Sequence, residues 1–165
     1  MDRLILLRHG KAEPDSASGD DFDRRLASRG AKESAAMGAH LADMGFAPDV
    51  VLVSTAARTR DTWEAVSVAF PKAEVRFEDD LYHADSVAVR RMAEAAQKES
   101  GTVMVVGHNP GLQELTIALL REGSAPGGLI SKAMHRFPTA TAAVFLIDPN
   151  GRPHYDGLFY PERHD

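Results

Sequence analysis

Three short clusters in the sequence carry side chains able to handle a phosphoryl group. They are Arg8-His9-Gly10, Ser54-Thr55-Ala56-Ala57-Arg58 and Gly107-His108-Asn109-Pro110-Gly111. Arginine offers a planar, permanently charged fork that matches phosphate oxygens. A neutral imidazole is a competent nucleophile toward phosphorus. A second imidazole, when protonated, can donate to a phosphoryl oxygen as charge develops there. Nearby arginine charge should lower a histidine's pKa and keep it neutral near pH 7. Gly10 and Gly107 let backbone approach a ligand closely. A helix starting near Asn109 or Pro110 would add free N–H groups and the positive end of its dipole. The arginines neutralise phosphate charge, so this chemistry calls for neither a metal nor a cofactor.

Metal binding is the competing use of histidines. The sequence has no His-Glu-x-x-His, no His-x-His and no EF-hand spacing among its aspartates. A Walker loop and a Gly-x-Gly-x-x-Gly fingerprint are also absent. Taken singly, each cluster is a weak signal. What joins them is the elements that precede them.

Four apolar runs, at 4–7, 50–53, 103–106 and 142–147, are nearly continuous rather than alternating. Such runs suit strands covered on both faces, as in a parallel sheet. Weaker strands are expected at 74–77 and 154–160. Helical spacing predicts a helix over 28–44, with Ala31, Ala35, Ala39 and Ala42 on its inner face beside Met37, Leu41 and Met44. Ser28 is the expected N-cap and Gly45 the stop. A second helix follows Ala57 and ends at Pro71, packing Trp63 and Phe70 on the sheet. A third covers 86–98 with Val87, Met92 and Ala95 or Ala96 inward. A fourth runs from Pro110 to about Arg121. The polar segment 12–25 reads as a solvated loop, and 122–128 as a connector. The alternation predicts an α/β fold, a three-layer α/β/α sandwich with a mostly parallel central sheet, as one domain over 1–165. Ligands in such sheets bind at the carboxyl ends of the strands. All three clusters stand directly behind a predicted strand.

Composition narrows the classes further. The chain has 165 residues, 44% of them hydrophobic, a formal net charge of −5 and no cysteine. Thiol nucleophiles, thiolate zinc and disulfides are excluded. An acidic balance argues against nucleic acid or anionic membrane as partner. The first apolar run is too short for a signal-peptide core, so a cytoplasmic location is expected.

Arg8-His9-Gly10 after the first strand resembles the signature of the histidine phosphatase superfamily, which includes the phosphoglycerate mutases and acid phosphatases. Ser54 to Arg58 with Thr62 resembles that family's Ser-x-x-x-Arg-x-x-x-Thr segment, and Gly107-His108-Asn109-Pro110 its second catalytic-histidine segment. Residues 23–30 are similar to the Arg-x-Leu-Thr-x-x-Gly stretch of small members, with Ser28 near the threonine's place, although Arg24 is not assigned to catalysis. The resemblance implies a phosphoglycerate mutase-like fold. It implies His9 as nucleophile, with Arg8, Arg58 and His108 around the phosphoryl group. Independently of the resemblance, Gly10 and Asn109 are expected substrate contacts from their places behind the strands, and His83 is expected, with Tyr82, at the rim of the site.

The short interval between Arg58 and His108 lacks the lid insertion of mutases and many small-molecule phosphatases. In this the chain resembles SixA-type phosphohistidine phosphatases. The implied partner is a protein phosphorylated on histidine, of the histidine-containing phosphotransfer type. The same residues could instead serve a small phosphoester, or a non-catalytic module that binds phosphoprotein. Where larger relatives carry a Leu-x-Glu proton donor, the sequence reads Leu81-Tyr82-His83. Any general acid is then Asp80, His83, Asp85 or none. A phosphohistidine leaves as neutral imidazole and has less need of one.

Overall fold

The computed structural model describes residues 2–161. Its frame is a six-stranded sheet built from β1 (Asp2–Arg8), β2 (Val50–Ser54), β3 (Glu74–Glu78), β4 (Thr102–Gly107), β5 (Ala142–Ile147) and β6 (Pro153–Phe159), in the order β3-β2-β4-β1-β5-β6. The first four strands run parallel, β5 lies antiparallel to β1, and β6 antiparallel to β5. The helices are α1 (Ser28–Asp43), α2 (Ala57–Ser67), α3 (Ser86–Gln97), α4 (Gly111–Glu122) and α5 (Gly127–His135).

Successive strand residues point to opposite faces, which explains the continuous apolar runs. Leu4, Leu6, Leu52, Val103 and Val105 join α3, α4 and α5 on one side. Ile5, Leu7, Val51, Val53, Met104 and Val106 join α1 and α2 on the other. The result is the expected three-layer sandwich, mostly parallel. No helix among the described residues is long and apolar enough to cross a membrane.

Several local expectations are corrected. In α1 the alanines at 31, 35 and 39 are exposed, and the buried stripe is Gly30, Glu33, Ser34, Met37, Gly38 and Leu41. Small residues make this face because the backbone comes very close. A Cβ at Gly30 would stand 2.1 Å from the Lys11 carbonyl oxygen, and one at Gly38 only 3.1 Å from Val66 Cα. The helix begins at Ser28 with Ala27 in the cap position and no side-chain cap. Gly45 does end it, at φ +80°.

Helix α2 stops at Ser67, and Phe70 is buried beyond its end with Trp63. In α3 the inward residues are Val89, Ala93 and Ala96, while Val87 is exposed. Segment 122–128 runs into α5, which opens on Gly127-Gly128, two residues of poor helix propensity.

Candidate functional site

The carboxyl ends of β1, β2 and β4 lie side by side, because β1 pairs with β4 up to Arg8↔Gly107 and β4 pairs with β2 up to Val53↔Val106. Each strand therefore delivers its cluster to one edge. His9 and His108 meet there with ring centroids 5.4 Å apart.

His9 is 7% exposed, and its Nδ1 lies 2.7 Å from the Gly10 carbonyl oxygen. A carbonyl can only accept, so Nδ1 carries the proton and Nε2 keeps the lone pair. Burial pushes the His9 pKa down to about 4, opposed by the Gly10 hydrogen bond and assisted by Arg8, Arg58 and Arg24. The expected neutrality is present, but desolvation is its largest cause, with the arginines secondary. Gly10 is pinned in turn, its N–H donating to Thr62 Oγ1 at 3.0 Å while that hydroxyl donates to the Arg58 carbonyl at 2.7 Å. Thr62 thus ties the loop that carries His9 to the first turn of α2.

His108 Nε2 lies 2.8 Å from Ser54 Oγ, and its Nδ1 is buried without a hydrogen-bond partner among the described residues. Burial first, then His9 and Arg58, lower its pKa to about 3. Arg8 Nη1 donates to the Phe137 carbonyl at 2.9 Å, and Asn109 Nδ2 donates to the same oxygen at 3.0 Å. Asn109 Oδ1 accepts from the Gln113 N–H at 3.2 Å. One donor and one acceptor of the Asn109 amide are therefore engaged within the protein, where they steady Arg8's carbonyl partner.

Arg58 is 7% exposed. Its Nη1 donates to the Asp21 carbonyl at 2.9 Å and its Nη2 to Asp21 Oδ2 at 3.1 Å. Tyr82 donates its hydroxyl to the same carboxylate oxygen at 2.5 Å. The Tyr82 ring stands edge-on to Phe22, at 5.0 Å, and to His108, at 5.6 Å. So the aspartate-rich segment is no simple solvated loop. It folds back through a bridge between Ala12 and Leu26 and brings Asp21 to Arg58. Nothing in residue type separates Asp21 from its neighbours Asp20 and Asp23, and only the three-dimensional path selects it.

The proton-donor candidates are placed as follows. Asp85 caps α3, accepting from the Ala88 N–H at 2.8 Å. Asp80 and His83 are exposed, and His83 stacks against Tyr82 at 4.1 Å between centroids. Because the Tyr82 ring in turn meets His108 edge-on, His83 stands at the rim. No group of three or more potential metal ligands is gathered among the described residues. Of the remaining histidines, His40 meets Phe159 edge-on, His135 bonds back to the Ser131 carbonyl, and His154 pairs with Asp148. His164 lies outside the described residues.

Comparison with known proteins fits this arrangement. Residues 4–103 match the histidine phosphatase superfamily (branch 1). A Mycobacterium leprae protein of uncharacterised function is 33% identical over 146 residues, covering 86% of this chain and 87% of its own length. A candidate phosphohistidine phosphatase SixA from Agrobacterium tumefaciens superposes with a TM-score of 0.85 at 34% identity, covering 97% of this chain and 98% of that one. A second candidate SixA, from Nakamurella multipartitia, gives 0.84 at 28% identity, with 97% and 96% covered.

Proposed function

Since the chain belongs to the histidine phosphatase superfamily, branch 1, and is a phosphatase, we propose that it removes phosphate from a phosphohistidine on a protein, through a covalent phospho-His9 intermediate. The observation that carries this reading is the bond from His9 Nδ1 to the Gly10 carbonyl. It aims an unprotonated Nε2 outward from a ring kept neutral by burial.

The first step forms a bond from His9 Nε2 to phosphorus and breaks the bond from phosphorus to the substrate's ring nitrogen. The protonated phosphohistidine departs as neutral imidazole. In the second step water attacks phosphorus, His9 leaves as the neutral ring, and phosphate carries away both of the water's protons. Arg8 and Arg58 hold the equatorial oxygens. His108 completes the cradle. In this reading the Ser54 hydroxyl, which accepts a 3.5 Å contact from the Ala56 N–H, donates to His108 Nε2. The His108 proton then sits on Nδ1, available to a phosphoryl oxygen.

Two features favour a phosphorus–nitrogen bond in a protein. Asp85 caps α3, Asp80 is exposed, and Asp21, the carboxylate bonded to Arg58, is kept ionised by Tyr82 and the arginines and so is no acid for an alkoxide. The interval from Arg58 to His108 also holds no lid that would bar a bulky partner. The SixA-type likeness points the same way. The test is a rate comparison on a phosphorylated histidine-containing phosphotransfer domain and a panel of sugar phosphates and nucleotides, with wild type and His9→Ala. The phosphoprotein should turn over faster and only with wild type. Faster turnover of a small ester would overturn the substrate assignment, and binding without turnover would favour a non-catalytic module.

A further inference from the structure

Arg58 presents five N–H groups in two usable forks, one formed by the two terminal nitrogens and one by Nε with its neighbouring Nη. Asp21 occupies the terminal fork, taking Nη1 on its backbone carbonyl and Nη2 on its carboxylate. Arg58 Nε is buried with no hydrogen-bond partner among the described residues, in a side chain 8% exposed. Arg58 Cζ stands 5.8 Å from the centre of the Tyr82 ring, which in turn meets His108 edge-on at 5.6 Å, and the guanidinium charge is felt at both imidazoles. Asp21 is itself held from two further sides, by the Tyr82 hydroxyl on Oδ2 and by Arg24 Nε on Oδ1 at 3.0 Å. Tyr82 and then the arginines keep its carboxyl ionised down to about pH 2.

We propose that Asp21 is a positioning residue for Arg58, clamping the terminal fork of the guanidinium so that the fork containing Nε faces the phosphoryl group. An arginine anchored at one fork loses less rotamer freedom when the other engages ligand. The acidic segment that reads in sequence as a solvated loop supplies, on this view, an outer wall of the phosphate cradle. The proposal rests on the reading of Arg58 as a phosphoryl-holding residue.

The sign of one measurement separates this role from simple charge competition. A carboxylate that only repels or competes with phosphate would, on removal, leave the pocket binding oxyanions more tightly. A clamp would leave it binding more weakly. Calorimetric titration with tungstate should show Asp21→Ala weakened about tenfold, Asp21→Asn (which keeps an acceptor for Arg58) within about threefold of wild type, and Arg58→Ala without measurable binding. Tyr82→Phe, which removes the hydroxyl from Asp21 Oδ2 and keeps the ring beside Arg58, should weaken binding about two- to threefold, and it decides the matter if Asp21→Ala fails to fold. Unchanged or tighter binding in Asp21→Ala, or in Tyr82→Phe where that variant decides, together with loss in Arg58→Ala, would overturn the clamp alone. Wild-type binding by Arg58→Ala, or none by wild type, would overturn the site reading beneath it.

Discussion

His9 Nδ1 sits 2.7 Å from the carbonyl oxygen of Gly10, the residue that follows it in the chain. This contact fixes the tautomer of the ring and turns its lone pair away from the backbone. Because Gly10 is anchored to Thr62, and Thr62 to the Arg58 carbonyl, His9 and Arg58 share one hydrogen-bonded connection.

The pH dependence follows from burial. His9 is neutral until about pH 4, so kcat/KM should keep its His9-dependent value through pH 5 and fall only as the pH approaches 4. An unshifted histidine would give a limb near 6.5. Stability carries the same sign. Between 6.5 and about 4 the unfolded chain takes up a proton at His9 that the folded chain refuses, so stability falls with falling pH across that window. The size is roughly 3 kcal/mol for His9, and His108 adds in the same direction. About 2 kcal/mol of the His9 contribution falls between pH 7 and pH 5, and chemical denaturation at those two values checks it.

Thr62→Val should lose both hydrogen bonds of the hydroxyl and leave the buried Gly10 N–H without a partner. The expected cost is about 1–3 kcal/mol of stability, with a reduced kcat, since the loop carrying His9 is freed. Urea denaturation and steady-state rates on one preparation test both parts.

Ser54→Ala should remove the partner of His108 Nε2 while leaving His9 untouched. We expect kcat to fall about tenfold or more, as the orientation and tautomer of a donor to the transition state are lost. Ser54→Thr, which keeps a hydroxyl, should recover part of the rate if the Cγ is accommodated.

The glycines divide sharply. Gly30→Ala places a Cβ 2.1 Å from the Lys11 carbonyl oxygen, and Gly10→Ala one 2.7 Å from the Gly30 carbonyl oxygen. Each should destabilise by about 1–3 kcal/mol or more. Gly128→Ala meets nothing within 4 Å inside α5 and should stabilise by about 0.5–1 kcal/mol. Thermal melts of the three variants give the ordering directly.

Most of the sheet was legible because buried parallel strands leave continuous apolar runs, and the clusters at 8–10, 54–58 and 107–111 stand where such strands end. The antiparallel direction of β5 was not legible, since Ala142 to Phe145 are buried just as the parallel strands are. The inner face of α1 was misread for a related reason. Gly30, Ser34 and Gly38 are chosen for close backbone approach, which hydrophobic periodicity does not register. Within the site, the paired histidines and Arg58 follow from motif and strand end. Asp21 and Tyr82 come from separate loops that meet over Arg58, and no local pattern announces that meeting. Asn109 follows β4 as its motif requires, but the partners of its amide depend on residues 113 and 137.

Metal independence is a further expected outcome. Activity should persist in excess chelator, because Arg8 and Arg58 supply the charge that a metal would otherwise supply. Loss in chelator restored by an added divalent ion would contradict that mechanism.

The central claim is the covalent intermediate on His9. Wild-type protein mixed with a phosphotransfer domain carrying labelled phosphohistidine, quenched in alkali within milliseconds to seconds and digested, should yield an acid-labile phosphohistidine in the peptide containing Arg8-His9-Gly10. The same label should be absent from His9→Ala. Steady turnover with no label on that peptide at any quench time, or label on His9→Ala equal to wild type, would contradict it.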